Sequence, residues 1–454
     1  MQYLHELQRA IEMRCLREGF LPFYFRERSD FMEKALLIGV NSGKEQSELL
    51  AELEELKELC ESCDIEVLDA ITQNIQKINH NTYMGSGKIK EIQAWLSGED
   101  CDLIVANDEL TPLQIRNLEK TLNVRVYDRT YVILEIFKRR AKTKEAMLQV
   151  ELASKKYLLP RLVGAHRNLS RQTGSVGGLR GRGGGEMQLE LDRRLISKQI
   201  SAIQNELREL KKLRQTQRKL RKKQEMKIVS LVGYTNSGKS STLNALLNHS
   251  VAKRKEVFEK DMLFATLETS TRHIKTEDNL SFLATDTVGF VNKLPHHLVE
   301  AFKSTLEEIT EADLILHIVD SSNPNYEKQI AVTNQVLKEL GADKIPMIYC
   351  FNKSDLLGED FYIPPLYDKA IKISAKHQHN IDGLLRMIEE ELFRDYLPVR
   401  LKLPYEKGKL YSKIKENAII ENERAEEDCY LLDAKVSAQL YELVRAYDVE
   451  KDRI

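Results

Sequence analysis

Gly233-Tyr234-Thr235-Asn236-Ser237-Gly238-Lys239-Ser240 follows the apolar run Ile228-Val229-Ser230-Leu231-Val232 and precedes a helical stretch, Ser241 to Leu247. The octamer fits G-x-x-x-x-G-K-[ST], and strand, loop and helix in that order are the setting in which the pattern forms a phosphate loop. Glycines let backbone N–H groups turn inward around a phosphate at the start of a helix. Lys239 is then placed to reach the β- and γ-phosphates, and the Ser240 hydroxyl to bind Mg²⁺. The octamer alone does not choose the nucleotide; the residues downstream do.

Asp286-Thr287-Val288-Gly289 fits D-x-x-G after the run Phe282–Ala284. Its aspartate would hold Mg²⁺ through water and its glycine N–H would meet the γ-phosphate, so the loop would sense whether that phosphate is there. Asn352-Lys353-Ser354-Asp355 fits N-K-x-D after an apolar strand. The Asp355 carboxylate can accept two hydrogen bonds from guanine N1–H and the N2 amine; adenine cannot supply that pair, and an unpaired carboxylate discriminates strongly. Ser374-Ala375-Lys376 follows the next strand, where a backbone N–H can bind guanine O6. Between the phosphate loop and Asp286 lies Phe264-Ala265-Thr266-Leu267-Glu268-Thr269-Ser270-Thr271-Arg272, in which one threonine is expected to reach Mg²⁺ and the γ-phosphate. Thr266 is favoured, with Thr269 and Thr271 as close rivals. All the motifs in this order, each at a strand end and within one domain length, specify a GTPase; each alone would be weak.

The nucleotide-binding set is therefore Gly233 to Ser240 with Ser241, Asp286, Gly289, Asn352, Lys353, Asp355, Ser374, Ala375 and Lys376. Ser240, Thr266 and Asp286 are the Mg²⁺ ligands, and Lys239, Asn236, Thr266 and Gly289 the residues expected to act on the phosphate. Phe290 stands where Ras-type GTPases carry the glutamine that orients the attacking water. Intrinsic hydrolysis is expected to be slow. Asn236 has two readings: the loop resembles that of GTPases which also lack the glutamine, and that resemblance implies a ligand for K⁺, supplying the charge of an arginine finger; the other is a residue that only stabilises the loop.

The chain has 454 residues, 42% hydrophobic and 31% charged, with a net charge of −1. That is ordinary globular composition, long enough for about three domains. No run approaches the ~18 apolar residues of a membrane helix, and the start shows no signal-peptide pattern. Six cysteines in this length make no disulfide framework, and Cys60-x-x-Cys63 lacks the second pair that a zinc site needs. The expectation is a reduced, cytoplasmic protein. Charge is uneven, however. Residues 161–185 hold five arginines and no acid, and residues 193–227 hold thirteen Lys/Arg against three glutamates. A basic stripe in a neutral protein suggests a polyanionic partner.

Outside the phosphate-loop domain, residues 34–135 alternate strands and helices, the mark of a small α/β unit with a mostly parallel sheet. Ala146, Val150, Ala153 and Tyr157, then Ile196, Ile200, Ile203, Leu207 and Leu210, repeat at coiled-coil spacing. Two such helices predict an antiparallel hairpin with the glycine-rich stretch 161–185 at its tip. Arginine among glycines suits phosphate contact and base stacking, so Arg171, Arg180, Arg182, Arg193 and Arg194 are the candidate RNA contacts. A flexible linker is the plainer reading of the same glycines. The expected organisation is multidomain α/β: an N-terminal α/β domain (1–138), the basic coiled-coil hairpin (139–226), a P-loop GTPase domain (227–397) and a small C-terminal α+β domain (398–454). Gly85-Ser86-Gly87-Lys88 is a second glycine-lysine loop, read as a structural turn or a phosphate contact.

With these residues assembled, the chain resembles the HflX family of ribosome-associated GTPases over nearly its whole length. The likeness is carried by Tyr83-x-Gly85-x-Gly87-Lys88-x-x-Glu91-Ile92, Asn107-Asp108-Glu109-Leu110-Thr111-Pro112-x-Gln114-x-Arg116-Asn117-Leu118-Glu119 and Asp128-Arg129-Thr130. It continues in Leu148-Gln149-Val150-Glu151-Leu152-Ala153, Leu159-Pro160-Arg161-Leu162, Gln188-Leu189-Glu190-x-Asp192-Arg193-Arg194 and Phe264-Ala265-Thr266-Leu267. The resemblance implies a factor that binds the large ribosomal subunit and its rRNA near the peptidyl-transferase region, as a monomer there. It implies splitting or rescue of stalled ribosomes in the GTP form, with antibiotic protection in some members, and ATP use attributed to the N-terminal domain. A GTP-gated assembly or RNA-binding chaperone shares every motif. At the tip, Gly178-Leu179-Arg180-Gly181-Arg182-Gly183-Gly184-Gly185-Glu186-Met187 departs from the family's Gly-Thr-Arg-Gly-Pro-Gly-Glu-Thr, losing the proline and gaining an arginine.

Overall fold

The computed structural model describes residues 32–43, 45–162, 182–223, 226–250, 270–276, 280–293, 306, 308–358 and 361–449; for 182–189 and 213–223 it describes the backbone only. Two compact units emerge, one reaching to Leu210 and including Lys293, the other running from Lys211 to Asn292 and onward from Leu306.

In the first unit, β1 (Glu33–Asn41) is apolar on both faces, as a central parallel strand must be when helices cover the sheet on each side. It lies between β2 (Ile65–Asn74) and β3 (Leu103–Ala106), with β4 (Arg125–Asp128) beyond β3, in the order β2-β1-β3-β4 and all parallel. The parallel sheet read from the alternation is thus present. The strand at Ile65 runs six residues past Leu68, where the apolar pattern stops. Leu68 is left out of the register between Ala35/Val67 and Leu36/Asp69, a bulge that reverses which side chains face the core.

Helices α1 (Gln46–Glu61), α2 (Ser86–Leu96) and α3 (Pro112–Leu122) cross between the strands. α3 is punctuated at both ends: Thr111 and Gln114 form a reciprocal capping box, Pro112 follows the cap, and Asn123 closes the helix in the left-handed conformation. α4 (Arg129–Arg140) follows β4 directly, with no turn signal between them in the sequence; its Val132, Ile133, Leu134, Ile136 and Phe137 are all buried.

α5 (Lys144–Leu162) and α6 (Arg182–Lys223) carry the two expected seams. Ala146, Val150, Ala153 and Tyr157 are buried, as is Ile203. Lys155 donates to Gln199 at 3.0 Å and Lys144 pairs with Glu206, so one helix descends as the other climbs and the pair is antiparallel. The helices extend further toward the tip than the glycine content suggests, to Leu162 on one side and from Arg182 on the other. Arg171 and Arg180 lie outside the described residues.

The second unit is built on a six-stranded sheet in the order β10-β9-β8-β5-β7-β6. These are β5 (Lys227–Gly233), β6 (Ser270–Lys275), β7 (Ser281–Asp286), β8 (Leu314–Asp320), β9 (Met347–Asn352) and β10 (Ala370–Lys372). All pairings are parallel except β6 with β7. α7 (Lys239–Asn248), α8 (Tyr326–Leu340) and α9 (Ile381–Leu392) pack on it. α9 shows why: Ile381, Leu384, Leu385, Ile388 and Leu392 repeat at i, i+3, i+4, i+7 and i+11 and bury one stripe in a core with Leu231, Leu316 and Ile348. The C-terminal stretch is α+β, as expected. An antiparallel sheet, β11 (Leu397–Pro404), β13 (Cys429–Val436) and β12 (Ile419–Ala425), is covered by α10 (Gly408–Asn417) and α11 (Ala438–Val444), with Leu401, Ile414, Leu432 and Leu440 at its centre.

Candidate nucleotide site

A parallel sheet presents its strand C-terminal ends as one edge, and loops leaving that edge meet above it. β5, β7, β9 and β10 deliver the phosphate loop, the D-x-x-G loop, the N-K-x-D loop and the Ser374 loop to that edge. The structure therefore brings together the predicted residues it describes, across more than 140 positions of sequence.

The phosphate loop is a tight cradle. Gly238, with φ of 92°, caps α7, and a Cβ there would sit 2.1 Å from Asn352 Nδ2; at Gly233 (φ 151°) a Cβ would sit 2.2 Å from the Ile318 carbonyl oxygen. Asn236 is exposed and itself left-handed, at φ 59°. Lys239 is buried and gives its ammonium to the carbonyls of Gly233 at 3.1 Å and Tyr234 at 2.7 Å. Burial pushes its pKa down to about 8, against the opposing pull of Asp286. Such an ammonium is stabilised by a nearby anion, which a phosphate would supply. The hydroxyls of Thr235 and Ser237 are buried within the loop without a hydrogen-bond partner in the structure, a cost that a bound phosphate offsets. Ser241 is half-buried on α7.

Ser240 Oγ donates to Asp286 Oδ2 at 2.6 Å. A hydroxyl and a carboxylate so close form an oxygen donor set of the kind Mg²⁺ takes alongside phosphate oxygens. Gly289 lies against the phosphate loop, where a Cβ would be 2.8 Å from Thr235 Cγ2 and 3.0 Å from Lys239 Nζ. Next to it, Phe290 is stapled to the same loop: its N–H donates to Gly233 O at 3.1 Å and its carbonyl accepts from Thr235 N–H at 2.8 Å. The ring is buried among Tyr234, Leu306, Ile309 and Ile315. Phe290 is thus a packing residue. Thr266 and Thr269 lie outside the described residues; Thr271 is on β6, with its hydroxyl 3.3 Å from that of Thr285.

The base-recognition residues form one hydrogen-bonded set. Asn352 Nδ2 donates to Ser237 O at 2.9 Å, and its Oδ1 accepts from Ala375 N–H at 3.0 Å, so Asn352 ties the phosphate loop to the Ser374 loop. The Ala375 amide is engaged there, where the sequence suggested a donor for guanine O6. Lys353 pairs with Asp320 at 2.7 Å, a partner that sequence reasoning passed over although it ends an apolar strand on the same edge. Asp355 Oδ1 accepts from Ser374 Oγ at 2.6 Å, and that bond holds the carboxyl below the usual carboxylate range. Ser374 thus aligns Asp355 through its hydroxyl, a role beyond the backbone contact expected of it. Lys376 also favours the ionised Asp355.

The candidate RNA contacts are only partly in view. Arg193 is exposed, and Arg194 is exposed beside Glu190 at 3.0 Å, both on α6; Arg182 begins that helix, its side chain outside the described residues. Arg161, counted with the basic stretch, is corrected by the structure: its side chain is 7% exposed, pairs with Asp128 at 3.1 Å and stacks 3.3 Å over the Tyr157 ring. In the Gly85 loop, Gly85 N–H donates to Gln73 at 2.9 Å and Lys88 pairs with Glu91 at 2.7 Å, the contacts of a structural turn. Tyr83 is buried between Asp108, to which it donates at 2.5 Å, and the Val40 N–H. Asn107 is fully buried between Glu52 and Arg129. These residues of the family-like N-terminal segments are structural fasteners.

Three family models match in succession: a GTP-binding GTPase N-terminal region at residues 50–138, a GTP-binding GTPase middle region at 140–221, and a 50S ribosome-binding GTPase at 228–353. A GTPase HflX of Caldanaerobacter subterraneus subsp. tengcongensis is 44% identical over 415 residues, 91% of this chain and 94% of its own. A GTPase HflX of Escherichia coli is 37% identical over 409 residues, 88% of this chain and 93% of its own. Among solved structures, a GTP-binding protein of Sulfolobus solfataricus in complex with GDP is similar at 22% identity over 80% of this chain and 99% of that one, with a TM-score of 0.42.

Proposed function

This chain belongs to the HflX family of GTPases, and from that premise we propose that it is a GTP-driven factor of the large ribosomal subunit that splits or rescues stalled ribosomes. The observation that supports the reading is the convergence of the four nucleotide loops on one sheet edge, in a chain whose GTPase region matches a 50S ribosome-binding model.

The residues divide the work as follows. Backbone N–H groups of the phosphate loop and the Lys239 ammonium bind the β- and γ-phosphates; the carbonyls now holding Lys239 give way to phosphate oxygens. Ser240, Asp286 and a threonine of the 264–272 segment would hold Mg²⁺, whose charge neutralises the phosphates and stabilises the transition state. Asp355, fixed by Ser374, selects guanine. Gly289 reports the γ-phosphate through its N–H, and Phe290 contributes no water-orienting group. Asn236 would hold K⁺ beside the phosphates. Arg193 and Arg194, with Arg171, Arg180 and Arg182, contact rRNA phosphates.

The test is a sucrose-gradient profile of whole ribosomes incubated with the protein and a non-hydrolysable GTP analogue. A fall in the whole-ribosome peak with a rise in free subunits is expected. Co-sedimentation with an undiminished whole-ribosome peak would instead point to a GTP-gated chaperone.

A further inference from the structure

One side chain at the base-recognition loop has no part in the scheme above. His377 follows Lys376 directly. Its Nε2 lies 3.5 Å from Asp355 Oδ2, and its backbone N–H donates to Ser374 Oγ at 3.3 Å. Ser374 Oγ in turn donates to the other oxygen, Asp355 Oδ1, at 2.6 Å. Both carboxylate oxygens of Asp355 are thus already addressed from one loop, by a hydroxyl on one side and an imidazole on the other. The His377 side chain is 59% exposed and that of Asp355 22%, so both can be reached from solvent.

We propose that His377 sets guanine affinity by competing for Asp355: the charged imidazole holds Oδ2, and the guanine N1–H and N2 amine must displace it. Guanine offers Asp355 two neutral donors. A neutral imidazole yields to them readily, whereas an imidazolium adds a charge-assisted attraction that is lost on binding. The groups around the imidazole reinforce this. Asp355 is the acid facing it and Lys376 the neighbouring cation, Ser374 is committed to Oδ1, and Lys353 is turned away onto Asp320. His379 exchanges backbone hydrogen bonds with Ser374 in the same turn. Because only the charged imidazole competes strongly for the carboxylate, release of nucleotide would be favoured by acid, which makes His377 a release residue for the GTPase cycle.

The proposal rests on Asp355 being the guanine-recognising carboxylate, so the experiment carries a separate control for that reading. Fluorescent GDP is titrated into the full-length protein with Mg²⁺ at several pH values between about 8 and 5.5. Wild type and His377→Gln share any pH effect that comes from the nucleotide phosphates. Wild type is expected to lose about two- to fivefold more affinity than His377→Gln across the range, the scale of an exposed ion pair. His377→Lys, permanently charged, is expected to bind weakly throughout, with the slope of the Gln variant. Equal slopes for wild type and His377→Gln overturn the role of His377. Asp355→Asn tests the underlying reading on its own: a shift from GDP to xanthosine diphosphate supports it, and an unchanged guanine preference refutes it whatever the pH profile shows.

Discussion

At the scale of single residues, the nucleotide site is a set of groups whose ordinary preferences are overridden. Lys239 is buried, Gly238 and Asn236 are left-handed, and Thr235 and Ser237 keep hydroxyls within a closed loop. Such departures cluster at functional sites because the surrounding structure must hold them. His317 on β8 is the clearest case with a measurable consequence. It is 1% exposed, and burial, aided by Lys239, depresses its pKa from 6.5 to about 3. The unfolded chain therefore takes up this proton first, and the stability that the neutral ring allows is lost as pH falls below the unfolded value. Between about pH 6.5 and pH 5 the loss is about 2 kcal/mol. His317→Phe is expected to lack that part of the acid-side slope in thermal unfolding without nucleotide; an unaltered slope would count against a buried neutral His317. Asn236 yields a second residue-level prediction. If it holds K⁺, GTP turnover in K⁺ buffer exceeds that in Na⁺ buffer by about tenfold or more, a fraction of what a full arginine finger gives. Asn236→Ala removes the difference, and equal turnover in the two salts returns Asn236 to a loop-stabilising role.

At the scale of elements, the fasteners are legible only once the elements are placed. Asp128 ends β4, caps α4 by accepting from Tyr131 N–H at 2.9 Å, and also accepts from Leu110 N–H, Tyr157 Oη and Arg161. Burial raises its pKa, and Arg161 opposes that rise. Removing one partner of a buried pair strands the other's charge. Arg161→Ala is thus expected to destabilise the first unit by about 3–5 kcal/mol, read as a lower urea midpoint. Tyr157→Phe is expected to cost about 1 kcal/mol, the value of one hydrogen bond. A midpoint unchanged by Arg161→Ala would show the pair to be solvated. The sequence showed the strand–helix alternation that holds β1 and α3, and the seams of α5 and α6, because each is a local pattern of period. It concealed the far half of β2, because the bulge at Leu68 breaks the alternation and the edge strand then carries Asp69, Gln73 and Asn74. Arg161 read as part of a basic loop for a similar reason: charge is visible in sequence, and the buried acid that neutralises it, 33 residues away, is not.

At the scale of the whole molecule, basic charge and nucleotide chemistry sit in different stretches of chain, so binding to RNA and loading of nucleotide can be measured apart. If α6 and the arginine-rich stretch before it contact rRNA, subunit affinity falls linearly with the logarithm of salt, with a slope near 0.7–0.9 per phosphate contacted. Charge reversal at Arg193 and Arg194 is expected to reduce that slope by about 1–2 while leaving GDP affinity unchanged. A slope that does not move would place the rRNA contacts elsewhere. The Cys60-x-x-Cys63 pair has no such role in view: both thiols are buried, and burial pushes Cys63 up to about 12 and Cys60 higher still. What the sequence determined by itself was the GTPase: its phosphate loop, guanine-reading tetrapeptide and strand–helix alternation are contiguous patterns, each fixed by local backbone geometry. What only the tertiary structure decided was which groups share a partner. Asn352 joins two loops, Lys353 meets Asp320, and Ser374 and His377 flank Asp355, because parallel strands bring distant stretches of chain to one edge and no local rule records who stands beside whom there.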